Sequence, residues 1–349
     1  MPNRRSALGR RPTIADLAQK SGVSVATVDR VLNGRHPVRE ETSRRVYEAA
    51  TALGFHATSL IRQRISADLP VVRLGILLQK PETEFYKAFG AMIEKAVKEA
   101  AKFRGICVLD YVPDLAPAVV AAKLKEMAPK VQAIAMVAVD HPNITSAVAE
   151  LRERGIPVFS LLSDFATGVR SSYVGVDNRK VGRVAAWTIA KTAKKPGKVA
   201  IFVGSHRFLG HDLREIGFRT YFREHAPEFH VLDTLVNLDD RRFTREAINE
   251  LMLRHKDLAG FYVAGGGMEG AVDALREQAE SEPVVILNEL TPMTRAALAD
   301  QKTMMTISTP LPLLCEKLVD LMARAVSQRN SDLPGQLFLP FEMHISENI

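Results

Sequence analysis

Several polar groups in this 349-residue chain stand where short apolar runs end, which is where α/β sheets collect their ligands. Asp140 closes the run AIAMVAV, and Asp164 follows IPVFSLL. After KVAIFVG comes SHRFLGHDLR, which gathers His206, Arg207 and His211. After FYVA comes Gly265-Gly266-Gly267, ahead of a helix-like segment. Carboxylates at strand ends suit recognition of hydroxyl groups. Glycine before a helix start, beside basic side chains, suits an anion approached by backbone N–H groups. Catalysis has little support, because no nucleophile–base spacing, HExxH, Walker loop or GxSxG elbow occurs. No His/Cys cluster has metal-ligand spacing and no cofactor is implied. Cys107 and Cys315 read as buried thiols in a reducing compartment.

A different chemistry is suggested by SVATVDRVLNG, residues 24–34. Ser24 can cap a helix, Val28, Val31 and Leu32 face one way, and Asn33-Gly34 ends it. The segment lies in a strongly basic region. Residues 1–67 hold 12 Lys+Arg against 5 Asp+Glu, a surplus equal to the whole chain's +7, and the remaining residues balance at 35 of each. A compact basic head on a neutral body is the footprint of a nucleic-acid module joined to something else. Asp29 is then out of character, since a carboxylate beside phosphates costs affinity unless it gains a partner. Three roles stay open: accepting from a cytosine amino group, orienting a neighbour such as Arg30 or Arg35, or a tolerated surface charge.

The elements that would position these residues can be read locally. Residues 1–10 form a basic tail without the apolar core of a signal peptide, and no apolar run reaches membrane-spanning length, so a cytoplasmic protein is expected. A first helix opens at Thr13, with Asp16 three residues on, and runs to Ser21-Gly22. The second is the quoted segment, and the third runs from about Arg39 to Gly54. The short link from Ser21 to Ser24 is the turn of a helix-turn-helix.

From Val71 onward, strand-like runs of five to seven residues alternate with amphipathic helices in two series, one beginning at VRLGILL and one at YVGVDN. That pattern predicts parallel sheets covered on both faces, in two doubly wound lobes with a cleft at the strands' carboxyl ends.

TIADLAQKSGVSVATVDRVLNG followed by PVREETSRRVYEAATALGF closely resembles, without gaps over about 45 residues, the head of the LacI/GalR family of bacterial regulators. YVGVDNRKVGRVAA, RxxGF at 214–218 and VVILNELTP resemble landmarks of that family's periplasmic-binding-protein-like effector domain. The resemblance implies an all-α helix-turn-helix head (11–56), a hinge (57–70) and an α/β effector domain (71–345). It also implies a first lobe of about 71–172 and 294–308, a second of about 173–291 and 311–345, and crossings near 170–175, 290–294 and 307–312.

By the same resemblance, the second helix enters the major groove. Val25 and Ala26 sit where relatives read bases, and Thr27 and Arg30 meet phosphates or base edges. Asn33 meets the backbone, and Thr13, Ser24 and Arg35 complete the DNA-facing set with Asp29. Because Val25 and Ala26 are apolar, their readout is limited to contacts such as a thymine methyl. Leu60 and Ile61 align with hinge-helix core positions, whereas Arg64 replaces the usual Leu lever. Arg64 reading a narrow minor groove, Ile65 acting as wedge, and a plain basic linker all remain open.

In the cleft, Phe85 and Tyr86 align with an aromatic that stacks on a sugar, with core packing as the alternative. Arg214, which opens RxxGF, aligns with an Arg that binds ligand oxygens. Asn288 and Glu289 lie in the late landmark, Glu289 where an Asp is customary. The usual Asn-Asp after FYVA is replaced by glycine, and the Asp that commonly grips hydroxyls is missing there, which puts Gly266 among the candidates.

The resulting expectation is a dimeric repressor that binds a pseudo-palindromic operator in double-stranded DNA. Its effector would be a sugar, a polyol, or a sugar acid or phosphate. A regulator sensing a non-sugar anion or nothing, a solute-binding protein and an α/β enzyme are the competing classes.

Overall fold

A computed structural model describes residues 11–33, 38–58, 60–61, 69–112, 114–277, 283–328 and 333–349. Two compact units divide the chain: the first comprises residues 1–72 with 99–105, and the second the remainder. Arg35, Arg64 and Ile65 lie outside the described residues.

The first unit holds three helices, α1 (Ile14–Ser21), α2 (Val25–Asn33) and α3 (Glu40–Leu53). Four of their six boundaries have a local cause. Thr13 and Asp16 form a reciprocal capping box, with the Asp16 carboxylate accepting from the Thr13 N–H at 2.7 Å. Ser24 Oγ accepts from the Thr27 N–H at 3.1 Å. Gly22 and Gly54 end α1 and α3 in the left-handed region, at φ 66° and 64°. The turn between α1 and α2 is braced by Arg45, whose Nη2 donates to the Ser21 carbonyl at 2.7 Å. Leu17, Val28, Val31, Val46, Ala50 and Phe55 form the core, and Ile61 packs into it.

The second unit is built on two sheets. One has the order β12-β5-β4-β3-β1-β2, from β1 (Val71–Gln79), β2 (Arg104–Val112), β3 (Ala133–Met136), β4 (Val158–Leu161), β5 (Ser172–Val176) and β12 (Gln336–Leu339). The other has the order β13-β11-β10-β9-β6-β7. It is made by β6 (Lys198–Val203), β7 (His230–Val231), β9 (Leu258–Val263), β10 (Val284–Asn288), β11 (Met305–Ser308) and β13 (Glu342–His344), with β8 (Leu235–Val236) also on β6. The pairing is parallel except for β11 with β13 among the registers on these strands.

Central strands such as β3 and β10 are buried along their whole length, as parallel strands covered on both faces require. In the second sheet, α7 (Asn178–Thr192) and α8 (Leu209–His225) fill one face through Val181, Ile189 and Phe218. The other face is covered by α9 (Arg241–Arg254) and α10 (Met268–Glu277) through Ile248, Leu251 and Val272, with Ala297 of α11 (Pro292–Ala299). The first lobe carries α4 (Glu84–Glu99), α5 (Pro117–Met127) and α6 (Pro142–Glu153).

The expected lobe boundaries need correction. β5 pairs in parallel with β4 and so belongs to the first lobe, and β11 pairs with β10 and so belongs to the second. After β11 the chain returns as α12 (Leu311–Ser327), which packs on β3 and β5, and as β12 beside β5, before β13 crosses back. The crossings therefore fall after Val176, between Ser308 and Leu311, and between Leu339 and Glu342. The 290–294 segment stays in the second lobe as the start of α11. Boundaries carried over from a resemblance cannot register a strand exchange that only hydrogen-bond pairing reveals.

Candidate ligand cleft and DNA-facing helix

On the head, the burial of Val28, Val31 and Leu32 turns the opposite face of α2 outward. Ser24, Val25 and Ala26 of its start are exposed, as are Arg30 and Asn33, and Val25 keeps 53% of its surface accessible. Thr13, Thr27 and Asp29 are half-buried, and Leu60 is 39% exposed. Asp29 Oδ1 accepts from Asn33 Nδ2 at 2.6 Å. Its intramolecular partner is thus the amide one turn on rather than Arg30, while Arg35 lies outside the described residues.

Between the two lobes lies a cavity of about 830 Å³, open in part to solvent. Phe85, Tyr86, Arg214, Gly266, Asn288 and Glu289 line it, so six of the nine anticipated ligand residues come together. Asp140, Asp164 and Arg207 do not. Asp164 is buried in an ion pair with Arg170, each side chain 5% exposed, and also accepts from Ser160, Gln336 and the Phe165 N–H. Burial pushes this carboxyl up, but the donors, Arg170 first, outweigh it and hold the group below the usual carboxylate range. It ties β12 to β4 and is spent on the fold. Asp140 Oδ1 accepts from the Ala166 N–H at 3.1 Å, and Arg207 is exposed.

Arg214 is held by Asn178 Oδ1, which accepts from Nε at 2.7 Å, and by the Ala264 carbonyl, which accepts from Nη1 at 2.5 Å. The RxxGF glycine explains the placement. A Cβ on Gly217 would meet the Arg179 carbonyl at 2.1 Å, and one on Gly182 would meet the Arg214 carbonyl at 1.9 Å. Glycine lets α7 and α8 approach backbone to backbone, which sets Arg214 at the cleft. Phe218 stacks on Tyr262 at 5.9 Å, and the Tyr262 hydroxyl donates to Asn288 Oδ1.

Glu289 has φ 66°, and its carboxyl accepts from both the N–H and the hydroxyl of Thr309, each at 2.9 Å. Burial raises its pKa above the ordinary range despite the opposing pull of Arg214 and the Thr309 donors. Burial likewise raises the Tyr86 hydroxyl, helped by Asp239 and Glu289.

Lys80, Asp239 and Ser163, none of them among the anticipated contact residues, also line the cavity, as does His211 of the SHRFLGHDLR segment. Asp239 supplies a carboxylate to a cleft that lacks the customary Asp after FYVA. Its Oδ1 accepts from the Gly266 N–H at 2.7 Å. A Cβ on Gly265 would meet that oxygen at 2.6 Å, and one on Gly266 would meet the Asp239 Cβ at 2.6 Å. The glycines thus make room for Asp239, and the Gly266 N–H is already engaged by it.

One signal was present in the sequence, the pair Asp239-Asp240 ahead of a helix. Asp240 is the cap, accepting from the Phe243 N–H at 2.9 Å, which leaves Asp239 for other work. His211 is pushed down to about 4 by burial, opposed by Asp239, and is neutral near pH 7. Nearby, His206 Nδ1 stands 3.2 Å from Asp212 Oδ1 and 3.6 Å from Glu215 Oε2. Glu215 is also ion-paired with Arg219 at 2.7 Å, and this polar cluster lies outside the cavity lining.

Two doubly wound lobes around a lined cleft define the periplasmic-binding-protein class, and residues 74–330 match the periplasmic binding protein domain. The chain belongs to that family, and its head, residues 13–58, matches the lacI family of bacterial regulatory proteins.

Among curated relatives, a regulator described as an uncharacterized HTH-type transcriptional regulator in the aml 5' region of Streptomyces limosus is 28% identical over 238 residues. That match covers 65% of this chain and 64% of the relative. The HTH-type transcriptional regulator reg1 of Streptomyces lividans is 28% identical over 205 residues, covering 56% of this chain and 54% of the relative. The matched stretch thus spans less than two thirds of either relative. A periplasmic solute binding protein of Actinobacillus succinogenes, solved with D-allose, superposes with a TM-score of 0.72 at 18% identity. It covers 79% of this chain and 98% of its own. At that identity the likeness is one of fold. Among the described residues no helix is long and apolar enough to cross a membrane.

Proposed function

We propose that this chain is a DNA-binding transcriptional repressor whose heads, paired in a homodimer, bind a pseudo-palindromic operator. A small hydroxyl-rich effector would bind in the cleft of the body. The observation that carries the reading is the outward face of α2. Its start presents Ser24, Val25 and Ala26 to solvent over a fully formed core, within the part of the chain that holds all the excess positive charge. Thr13, Thr27, Asp29, Arg30, Asn33, Arg35, Leu60 and Arg64 complete the DNA-facing set. In the cleft, Asp239, Glu289 and Asn288 offer acceptors for hydroxyl groups, and Phe85 and Tyr86 an apolar wall.

A second reading, an anionic effector, is favoured by one feature. Arg214 is buried, yet among the described residues it has no carboxylate within ion-pair distance. Thermal-shift measurements with neutral sugars and polyols beside sugar acids and sugar phosphates test both, because a ligand that binds only the folded body raises its melting temperature with concentration. Neutral hydroxyl compounds are expected to stabilise it. Stabilisation by the acids and phosphates alone supports the second reading, and none by either class argues against both.

A further inference from the structure

The cleft is bridged by the protein's own groups. Lys80, at the end of β1 in the first lobe, donates from Nζ to the Leu238 carbonyl at 3.1 Å and the Asp239 carbonyl at 3.4 Å in the second. It also lies 3.6 Å from Asp239 Oδ2. Both side chains are largely withdrawn from solvent, at 19% and 16% exposure. All three residues at this contact sit in the left-handed backbone region, Lys80 at φ 42°, Leu238 at 55° and Asp239 at 52°. Non-glycine residues adopt that conformation at a cost, and they keep it only where surrounding contacts over-determine it.

Further hydrogen bonds join the lobes: beside the crossing after Val176, Asn178 Nδ2 donates to the Leu162 carbonyl at 3.1 Å and the Tyr173 hydroxyl at 3.2 Å, and two backbone amides donate across the cleft. The Asp140 N–H donates to the Arg207 carbonyl at 3.0 Å, and the Gly210 N–H donates to Ser163 Oγ at 3.0 Å. Both depend on the lobes being together, whereas the sheet hydrogen bonds within each lobe do not.

We propose that Lys80 is a latch that holds the lobes closed and sets access to the Asp239 carboxylate. An effector that uses this carboxylate competes with Lys80 for it, so the ammonium decides how far closure depends on the ligand and which hydroxyl geometry displaces it. The consequence for sensing rests on the effector-cleft reading above. The latch itself does not, and its test needs neither effector nor DNA.

Hydrogen–deuterium exchange on the full-length chain reads it directly. In Lys80→Met the amides of Asp140 and Gly210 are expected to exchange at least about ten-fold faster, since the bonds lost involve a charged donor. Sheet amides such as Ile134 and Ala264, bonded to Pro157 and Phe202 within their own lobes, keep their rates. Lys80→Arg restores protection in part. Asp239→Asn, which retains both carbonyl acceptors, gives a smaller acceleration. Unchanged rates at Asp140 and Gly210 in Lys80→Met would overturn the proposal. So would equal acceleration at Ile134 and Ala264, which would mean that Lys80 merely stabilises the fold.

Discussion

Asn33 Nδ2 donates to Asp29 Oδ1 at 2.6 Å, one turn apart on α2. The acid in the middle of an outward-facing helix of the basic head therefore has a partner within the head, and that partner is itself exposed. An exposed pair at this spacing contributes only about 0.2–0.5 kcal/mol to a helix, too little to explain a carboxylate beside phosphates by stability alone. Its effect is to fix where Asn33 points.

Asp29→Ser should then leave the head's melting temperature almost unchanged while altering base preference at one symmetric pair of operator positions. The change would come from the loss of an acceptor or from the release of Asn33. Site selection with the variant, compared with the parent protein, decides it. An identical motif would reduce Asp29 to a bystander.

Gly266→Ala examines why the loop after β9 is glycine. The added methyl would lie 2.6 Å from the Asp239 Cβ, so either Asp239 or the loop must move. Overpacking of this kind costs about 1–3 kcal/mol, and effector binding should weaken with it. Denaturant melts and calorimetric titration measure the two effects. Normal stability and binding would show that the glycines are not there to admit Asp239.

Asp164→Asn separates a fold residue from a ligand residue. Leaving Arg170 buried without its carboxylate should destabilise the body by about 3–5 kcal/mol. Effector affinity, measured well below the melting temperature, should stay within a few-fold. The reverse pattern would return Asp164 to the binding site.

These cases show what the sequence made legible. The head's caps at Thr13, Ser24 and Gly54 are local, made by residues three or four apart, and could be read directly. The alternation of buried strands and helices likewise implied two doubly wound lobes. Asp164 and Asp140 also stand at strand ends, but strand-end position alone cannot tell an acid aimed at the cleft from one claimed by Arg170 or by the Ala166 amide. Lys80 and Asp239 meet across 159 residues, and no periodicity encodes that meeting. The same holds for the placement of β5, α12 and β12, which is decided by pairing between distant segments.

Glu289 makes a pH signature. Burial raises its folded-state pKa, so between the unfolded chain's value, about 4.3, and that raised value the native protein keeps a proton the unfolded chain has lost. The resulting stabilisation is fully present below the unfolded value and is lost as pH rises through the folded one. In Glu289→Gln the side chain can still accept from the Thr309 N–H and donate to its hydroxyl. The fall in stability from pH 4.5 towards neutrality should therefore be shallower than in the parent, with stability at pH 7 equal or higher. Denaturant midpoints across that range test it, and an unchanged slope would assign the pH dependence to another group.

The most direct test of the central claim is selection of binding sites from a random DNA library by the full-length protein at moderate salt, with and without added metabolite extract. The account predicts enrichment of a pseudo-palindrome with two half-sites of one sequence, lost or weakened when the exposed start of α2 is altered at Val25 and Ala26. No enriched sequence under either condition would contradict it, and the head would then have to be something other than a reader of DNA.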